Sequence, residues 1–225
     1  MRYPSILFLA ILPAALVSFQ YQQKRKVIFF GDSITQAAVQ PGGYIRKLDS
    51  IMASEGMSDR YEAIGAGIGG NKIYDLYLRM DDDVLARKPD IVVIYIGVND
   101  VWHKSSSGTG TDFDKFGRFY EAVVRKLQQA GIRVVLATPA VIGERHDNSN
   151  PQDGELNHYS NWIRGFAAGK GLPLVDLRKA FLDHSLRHNP ANAEKGVLTT
   201  DRVHLNAAGN LLVAQEMWKA VKAVK

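Results

Sequence analysis

Ser33 stands in Val27-Ile28-Phe29-Phe30-Gly31-Asp32-Ser33-Ile34-Thr35, a short apolar run that delivers a hydroxyl onto the turn following it. Two later apolar runs end in equally polar, glycine-rich turns, Gly65-Ala66-Gly67-Ile68-Gly69-Gly70-Asn71 and Gly97-Val98-Asn99-Asp100, and Asp201-Arg202-Val203-His204 follows near the C-terminus. A hydroxyl, two turns rich in backbone and amide donors, and an Asp/His pair are the parts required for acyl transfer through a serine: a nucleophile, an oxyanion site, and a base with its orienting carboxylate. On a helical turn, residues three apart share a face with Cβ atoms about 5–6 Å apart. Asp201 is therefore expected to engage one imidazole nitrogen of His204 and leave the other to face Ser33. Singly, each feature has a plainer explanation, since a serine after a strand commonly caps a helix and an Asp commonly caps a turn. Four of them in the order that an acyl-transfer site requires make coincidence a poor account.

These residues act together only if the fold gathers them. Five apolar, β-branched runs read as strands: Val27–Phe30, Tyr61–Ile64, Ile91–Ile96, Arg133–Ala137 and Leu174–Val175. Ile91–Ile96 is apolar throughout, which suits a strand buried on both faces of a parallel sheet. Between the strands lie helical stripes. Tyr44–Ala53 and Leu156–Ala168 are two of them. A third, Phe113–Ala130, repeats Phe116, Phe119, Tyr120, Val123, Val124 and Leu127 and stops at Gly131. The last runs from Ala207 to Val224, with Asn206 as its N-cap. Alternating strands and helices predict one three-layer α/β/α sandwich with a five-stranded parallel sheet and right-handed crossovers. The carboxyl ends of such strands meet where the strand order reverses, which is where open sheets of this kind bind ligands. Ser33, the second glycine cluster and Asn99 each follow a different strand, so three turns should point into one crevice. Two irregular stretches, Lys104–Thr111 and Ile142–Asp153, are expected at the same edge, as substrate-contacting loops or as plain surface.

Gly65-x-Gly67-x-x-Gly70 also matches the dinucleotide fingerprint G-x-G-x-x-G. That fingerprint belongs in the opening βαβ unit, with an acidic residue at the end of the next strand. Here Asp90 precedes the next strand instead of ending it. A loop whose backbone N–H groups stand open for an oxyanion is the better reading.

The chain has 225 residues, of which 46% are hydrophobic and 23% charged, ordinary values for one globular domain. It contains no Cys, which excludes disulfides, thiolate-bound zinc and a Cys nucleophile. The net charge of +5 is scattered, with only Lys24-Arg25-Lys26 contiguous, and lacks the clustered basic face with interleaved aromatics that nucleic-acid binding requires. Arg2, the apolar run Ile6–Val17 and the small residues Ala14, Ala15 and Ser18 read as an export signal over residues 1–23, leaving residues 24–225 as the single domain. The run is shorter than the roughly 20 apolar residues that span a bilayer. The expected product is exported, periplasmic or secreted, without stable membrane association once the signal is removed.

The four motifs together resemble the GDSL/SGNH hydrolase superfamily, named for a Ser, Gly, Asn and His in four blocks. Gly31-Asp32-Ser33-Ile34 matches the first block, Gly70 in Gly67-Ile68-Gly69-Gly70-Asn71 the second with Gly69 as a rival register, Asn99 in Gly97-Val98-Asn99-Asp100 the third, and Asp201-x-x-His204 the fourth. The blocks span residues 31–206. Arg202 stands where similar sequences often carry Gly, and Ala66 where many have a polar residue. The resemblance implies a flavodoxin-like strand order and ester hydrolysis without metal or other cofactor. It implies Ser33 as nucleophile, His204 as base, Asp201 as its orienting partner, and an oxyanion hole of Ser33 N–H, Gly70 N–H and the Asn99 amide.

Around that set, Asp32, Trp102, His103 and His146 are candidate substrate contacts. Trp102 and His103 closely follow Asn99, and His146 lies in the second long loop. Asp81-Asp82-Asp83 reads as a solvated helix face, and His184 and His188 lack the Glu of a His-Glu-x-x-His zinc pattern. The expected activity is hydrolysis of short acyl esters, acetyl first, on a carbohydrate or small-molecule ester, because the loops are polar and no long apolar lid is present. Lysophospholipase, thioesterase or longer-chain esterase activity, sugar O-acyl transfer, and non-catalytic carbohydrate binding are the alternatives.

Overall fold

The computed structural model describes residues 23–225, so the expected export signal lies outside the described residues except for Gln23. Five strands, β1 (Arg25–Gly31), β2 (Tyr61–Gly67), β3 (Ile91–Tyr95), β4 (Arg133–Ala137) and β5 (Leu174–Val175), form one parallel sheet in the order β2-β1-β3-β4-β5. The register sets Phe29 between Gly65 on one side and Val93 on the other. All five residues of β3 are buried, as an all-apolar run between two helical layers should be. Each such side chain contributes about 1.5–3 kcal/mol relative to exposure. This is the predicted three-layer α/β/α sandwich with flavodoxin-like order, and the order reverses between β1 and β3.

The helices are α1 (Ser33–Ala37), α2 (Tyr44–Ser54), α3 (Ile73–Asp83), α4 (Val98–Ser106), α5 (Phe113–Gln129), α6 (Asp153–Lys170), α7 (Leu177–His188) and α8 (Ala207–Ala223), with a 3-10 turn at Leu85–Arg87. α2 packs on α8, where Trp218 meets the Tyr61 ring edge-on at 5.1 Å and donates to Glu55 Oε2 at 3.0 Å. α3 packs on α5, and α5 meets α6 through Phe116, Tyr120, Tyr159 and Trp162. None of the helices among the described residues is long and apolar enough to cross a membrane.

The sequence reading contains no helix range for α1, α3, α4 or α7, and it starts α6 late. α4 takes in Lys104, Ser105 and Ser106, which were expected to be loop. Lys104 Nζ is held by Glu155 and by Tyr159 Oη, so a contact between helices orders a stretch whose composition favours a loop. α6 begins at Asp153, one turn early, because buried Asp153 pairs with buried Arg178 at 2.6 Å. α7 has no counterpart in the reading. Its buried face is only Leu177, Arg178, Phe181 and Ser185, too narrow an apolar stripe to stand out.

The glycines of β2 bring the site elements together. A Cβ on Gly67 would lie 2.1 Å from the Gln36 backbone nitrogen and 2.6 Å from the Asp32 carbonyl oxygen. Only glycine lets β2 pass against α1, and α1 opens with Ser33.

Candidate active site

Ser33 is the first residue of α1, on the turn leaving β1. Asp32 caps that helix by accepting from Ile34 N–H at 3.0 Å, which fixes the backbone on both sides of the serine. Ser33 Oγ lies 2.9 Å from His204 Nε2, and His204 Nδ1 lies 2.7 Å from Asp201 Oδ2. Both distances suit hydrogen bonds, and the line of three groups is that of a nucleophile, a base and its orienting carboxylate. Residues 201–204 form a bend and not the helical turn expected from the sequence. The pair still meets because Asp201 Oδ1 folds back to accept from Val203 N–H at 3.0 Å and His204 N–H at 2.8 Å. Burial opposes ionisation of Asp201, but the hydrogen bonds from His204 and Val203 outweigh it and hold the carboxyl below its usual range.

The bend requires Arg202 at φ 89°, which explains why glycine suits this position. A side chain in the left-handed region costs about 1–2 kcal/mol. The surroundings oppose that strain: Arg202 N–H donates to Thr199 Oγ1 at 3.2 Å, its carbonyl accepts from Gly143 N–H at 2.9 Å, and its guanidinium pairs with Glu194 at 2.6 Å. The sequence contained no sign of Glu144, whose contacts hold the segment just ahead of Asp201. Its buried carboxylate accepts the backbone N–H groups of Val197 at 2.7 Å, Leu198 at 2.7 Å and Thr199.

Two further turns face Ser33. In the loop after β2, Gly69 N–H already donates to Gln36 Oε1 at 2.9 Å. Gly70 N–H has no acceptor among the described residues, and Gly70 adopts φ 76°, a conformation open to glycine. Of the two rival registers, Gly70 is therefore the one with a donor to spare. After β3, Asn99 is the second residue of α4 and only 2% exposed. Its Nδ2 donates to the Asn71 carbonyl at 3.1 Å, which aims the amide and leaves its second hydrogen for another acceptor.

The remaining candidates divide. Trp102 packs edge-on to the His204 ring at a centroid distance of 6.3 Å, and His103 Cε1 lies beside Gly70, so both border the crevice. Burial and the charge of Lys72 hold the His103 imidazole below its ordinary pKa. Asp32, read from the sequence as a candidate substrate contact, is instead 2% exposed and turned inward to cap α1. Burial pushes its carboxyl up to about 7, with the Ile34 N–H pulling the other way and the charge of Asp100 adding to the rise. His146 is tied into the fold, its N–H to Asn192 Oδ1 at 2.9 Å and its Nε2 to the Asn189 carbonyl at 3.1 Å, and it makes no hydrogen bond to Ser33, Asn99, Asp201 or His204. Asp81 pairs with Lys126, and Asp83 with Arg79. His184 and His188 lie beside each other on α7, their rings tilted by 41° with centroids 4.4 Å apart. Among the described residues no group of three or more His, Asp or Glu side chains is placed to hold a metal ion.

Residues 29–212 match the model of the GDSL-like lipase/acylhydrolase family. The chain belongs to this family. It is 27% identical over 211 residues to an acetylxylan esterase of Geobacillus stearothermophilus, covering 87% of this chain and 93% of that enzyme. Among solved structures it is similar to the acetyl xylan esterase AlAXEase, with a TM-score of 0.86, 62% identity, and coverage of 87% of this chain and 99% of that one. It is also similar to Axe2 of Geobacillus stearothermophilus, with a TM-score of 0.78, 25% identity, and coverage of 91% and 97%. The GDSL resemblance, the α/β sandwich and the assignment as an ester-hydrolysing enzyme, all expected from the sequence, stand on these findings.

Proposed function

We propose that this GDSL-family enzyme removes acetyl groups from acetylated xylan or its oligosaccharides through Ser33, His204 and Asp201. The relay of 2.9 Å and 2.7 Å contacts from Ser33 Oγ through His204 to Asp201 is the observation that carries the chemistry. Similarity to acetylxylan esterases supports the substrate class.

His204 Nε2 takes the Ser33 proton as Oγ attacks the acetyl carbonyl carbon. The carbonyl oxygen becomes an oxyanion facing Ser33 N–H, Gly70 N–H and Asn99 Nδ2. Collapse breaks the bond to the sugar oxygen, and His204 returns the proton to that leaving hydroxyl. Water then attacks acetyl-Ser33, His204 accepts its proton, and acetate departs with Ser33 restored. Asp201 keeps the imidazole oriented and stabilises its charged form. Trp102, at the crevice beside His204, offers an indole for a sugar ring to stack on. The leader-like composition of residues 1–23 supports export to where such polymers are met.

The test is release of acetate from acetylated xylo-oligosaccharides, set beside p-nitrophenyl esters from acetate to decanoate. The reading expects turnover on the oligosaccharides and on acetate, fading as the acyl chain lengthens. Preference for decanoate, with acetylated oligosaccharides left intact, overturns the substrate assignment in favour of a lipid or thioester.

A further inference from the structure

Arg79 lies on α3, outside the four motifs read as an acyl-transfer site, and its side chain is only 15% exposed. Its Nη2 donates to two strand-end carbonyls, Gly31 at 2.8 Å and Ala66 at 3.0 Å. Its Nε donates to Asn71 Oδ1 at 2.7 Å, and its Nη1 pairs with Asp83 at 2.5 Å. The guanidinium carbon sits 4.5 Å from the centre of the Phe30 ring. One planar group thus ties the ends of β1 and β2 to the loop between β2 and α3.

Those attachment points flank the three donors assigned to the oxyanion. Gly31 is two residues before Ser33, Asn71 directly follows Gly70, and the Asn71 carbonyl is the acceptor that aims Asn99 Nδ2. We propose that Arg79 is a positioning residue of the oxyanion site, setting the mutual spacing of Ser33 N–H, Gly70 N–H and Asn99 Nδ2. The inference rests on the reading of these groups as the oxyanion hole. A rigid fork with five donors can hold two carbonyls, an amide oxygen and a carboxylate in different directions at once, and a lysine ammonium, a point charge with three donors, cannot.

Oxyanion donors act on the transition state and not on bound substrate, so a misplaced donor lowers kcat and spares KM. A displacement of 1 Å can cost about 100-fold in rate. The experiment compares Arg79→Lys, Asn71→Ala, Asn99→Ala and the double variant Arg79→Lys/Asn99→Ala in turnover of p-nitrophenyl acetate. Arg79→Lys keeps the charge and loses the fork. Asn71→Ala removes one acceptor of the network and leaves the Asn71 carbonyl in place, so it serves if Arg79→Lys does not fold.

The expected result is a kcat about 10- to 100-fold lower for Arg79→Lys and a smaller loss for Asn71→Ala, each with KM within about twofold. In the Asn99→Ala background the Arg79→Lys loss shrinks several-fold, because groups in one network do not act independently. An equal loss in both backgrounds, or a raised KM with intact kcat in either Arg79→Lys or Asn71→Ala, overturns the positioning role and leaves Arg79 a structural clamp. An Asn99→Ala enzyme with unchanged kcat overturns the oxyanion assignment itself, a separate failure.

Discussion

Replacing Asp32 by Asn should change how the stability of this fold depends on pH, and the size of the change follows from burial. The Asp32 carboxyl is enclosed where β1 turns into α1, and desolvation raises its pKa from 3.8 to about 7. An acid whose pKa is higher in the folded than in the unfolded state keeps its proton in the fold after the unfolded chain has released it. Its stabilising contribution is complete below about pH 4 and is lost as pH rises through about 7. Three pKa units at 1.36 kcal/mol each give about 4 kcal/mol over that window, or about 1.4 kcal/mol per pH unit. Asn retains the oxygen that accepts from Ile34 N–H and cannot titrate, so Asp32→Asn should lack this slope. Urea unfolding of both proteins from pH 4.5 to 8.5 measures it, because the difference between the two curves removes most groups common to both. Because the unfolded carboxyl is already mostly ionised at pH 4.5, the wild type should lose about 3 kcal/mol relative to Asp32→Asn across the measured range. Parallel curves would refute the claim that Asp32 is buried with a raised pKa.

Two further substitutions probe the site and its frame. Asn99→Ala should lower kcat on p-nitrophenyl acetate by about 10²–10³-fold, or about 2.7–4 kcal/mol of transition-state stabilisation, with little change in KM; steady-state kinetics reads both. Gly67→Ala places a Cβ 2.1 Å from the Gln36 backbone nitrogen, an overlap that side-chain rotation cannot relieve. It should cost about 3 kcal/mol or more, and a lowering of Tm by about 6–12 °C in a melting curve is the readout.

That Ser33, His204 and Asp201 would meet was legible in the sequence because residue type, the strand before Ser33 and the three-residue spacing of Asp201 and His204 are all written locally. The all-apolar run Ile91–Ile96 likewise announced a doubly buried strand. The glycines of β2 were legible as a signal but not as a cause. Gly67 is needed for the approach of α1, a contact between segments about thirty residues apart, and the same spacing imitates a phosphate-binding turn. α7 was missed because two buried apolar side chains, Leu177 and Phe181, make too faint a stripe. The Ser-rich end of α4 was missed because Glu155 and Tyr159 hold it from another helix. Arg79 and Glu144 escaped for the same reason: each matters through backbone groups of distant segments, and no pattern near either residue reports that. Asp32 looked like a site residue because it adjoins Ser33, yet only the fold shows that its carboxyl turns inward.

The most direct test of the account is to mix the enzyme with excess p-nitrophenyl acetate, quench in acid within a turnover, and locate the acetyl group by peptide mass. The account predicts one acetyl group on the peptide containing Ser33, absent in Ser33→Ala, which should also lose turnover. Acetyl on a different residue, or a Ser33→Ala enzyme that still turns over at the wild-type rate, would contradict it.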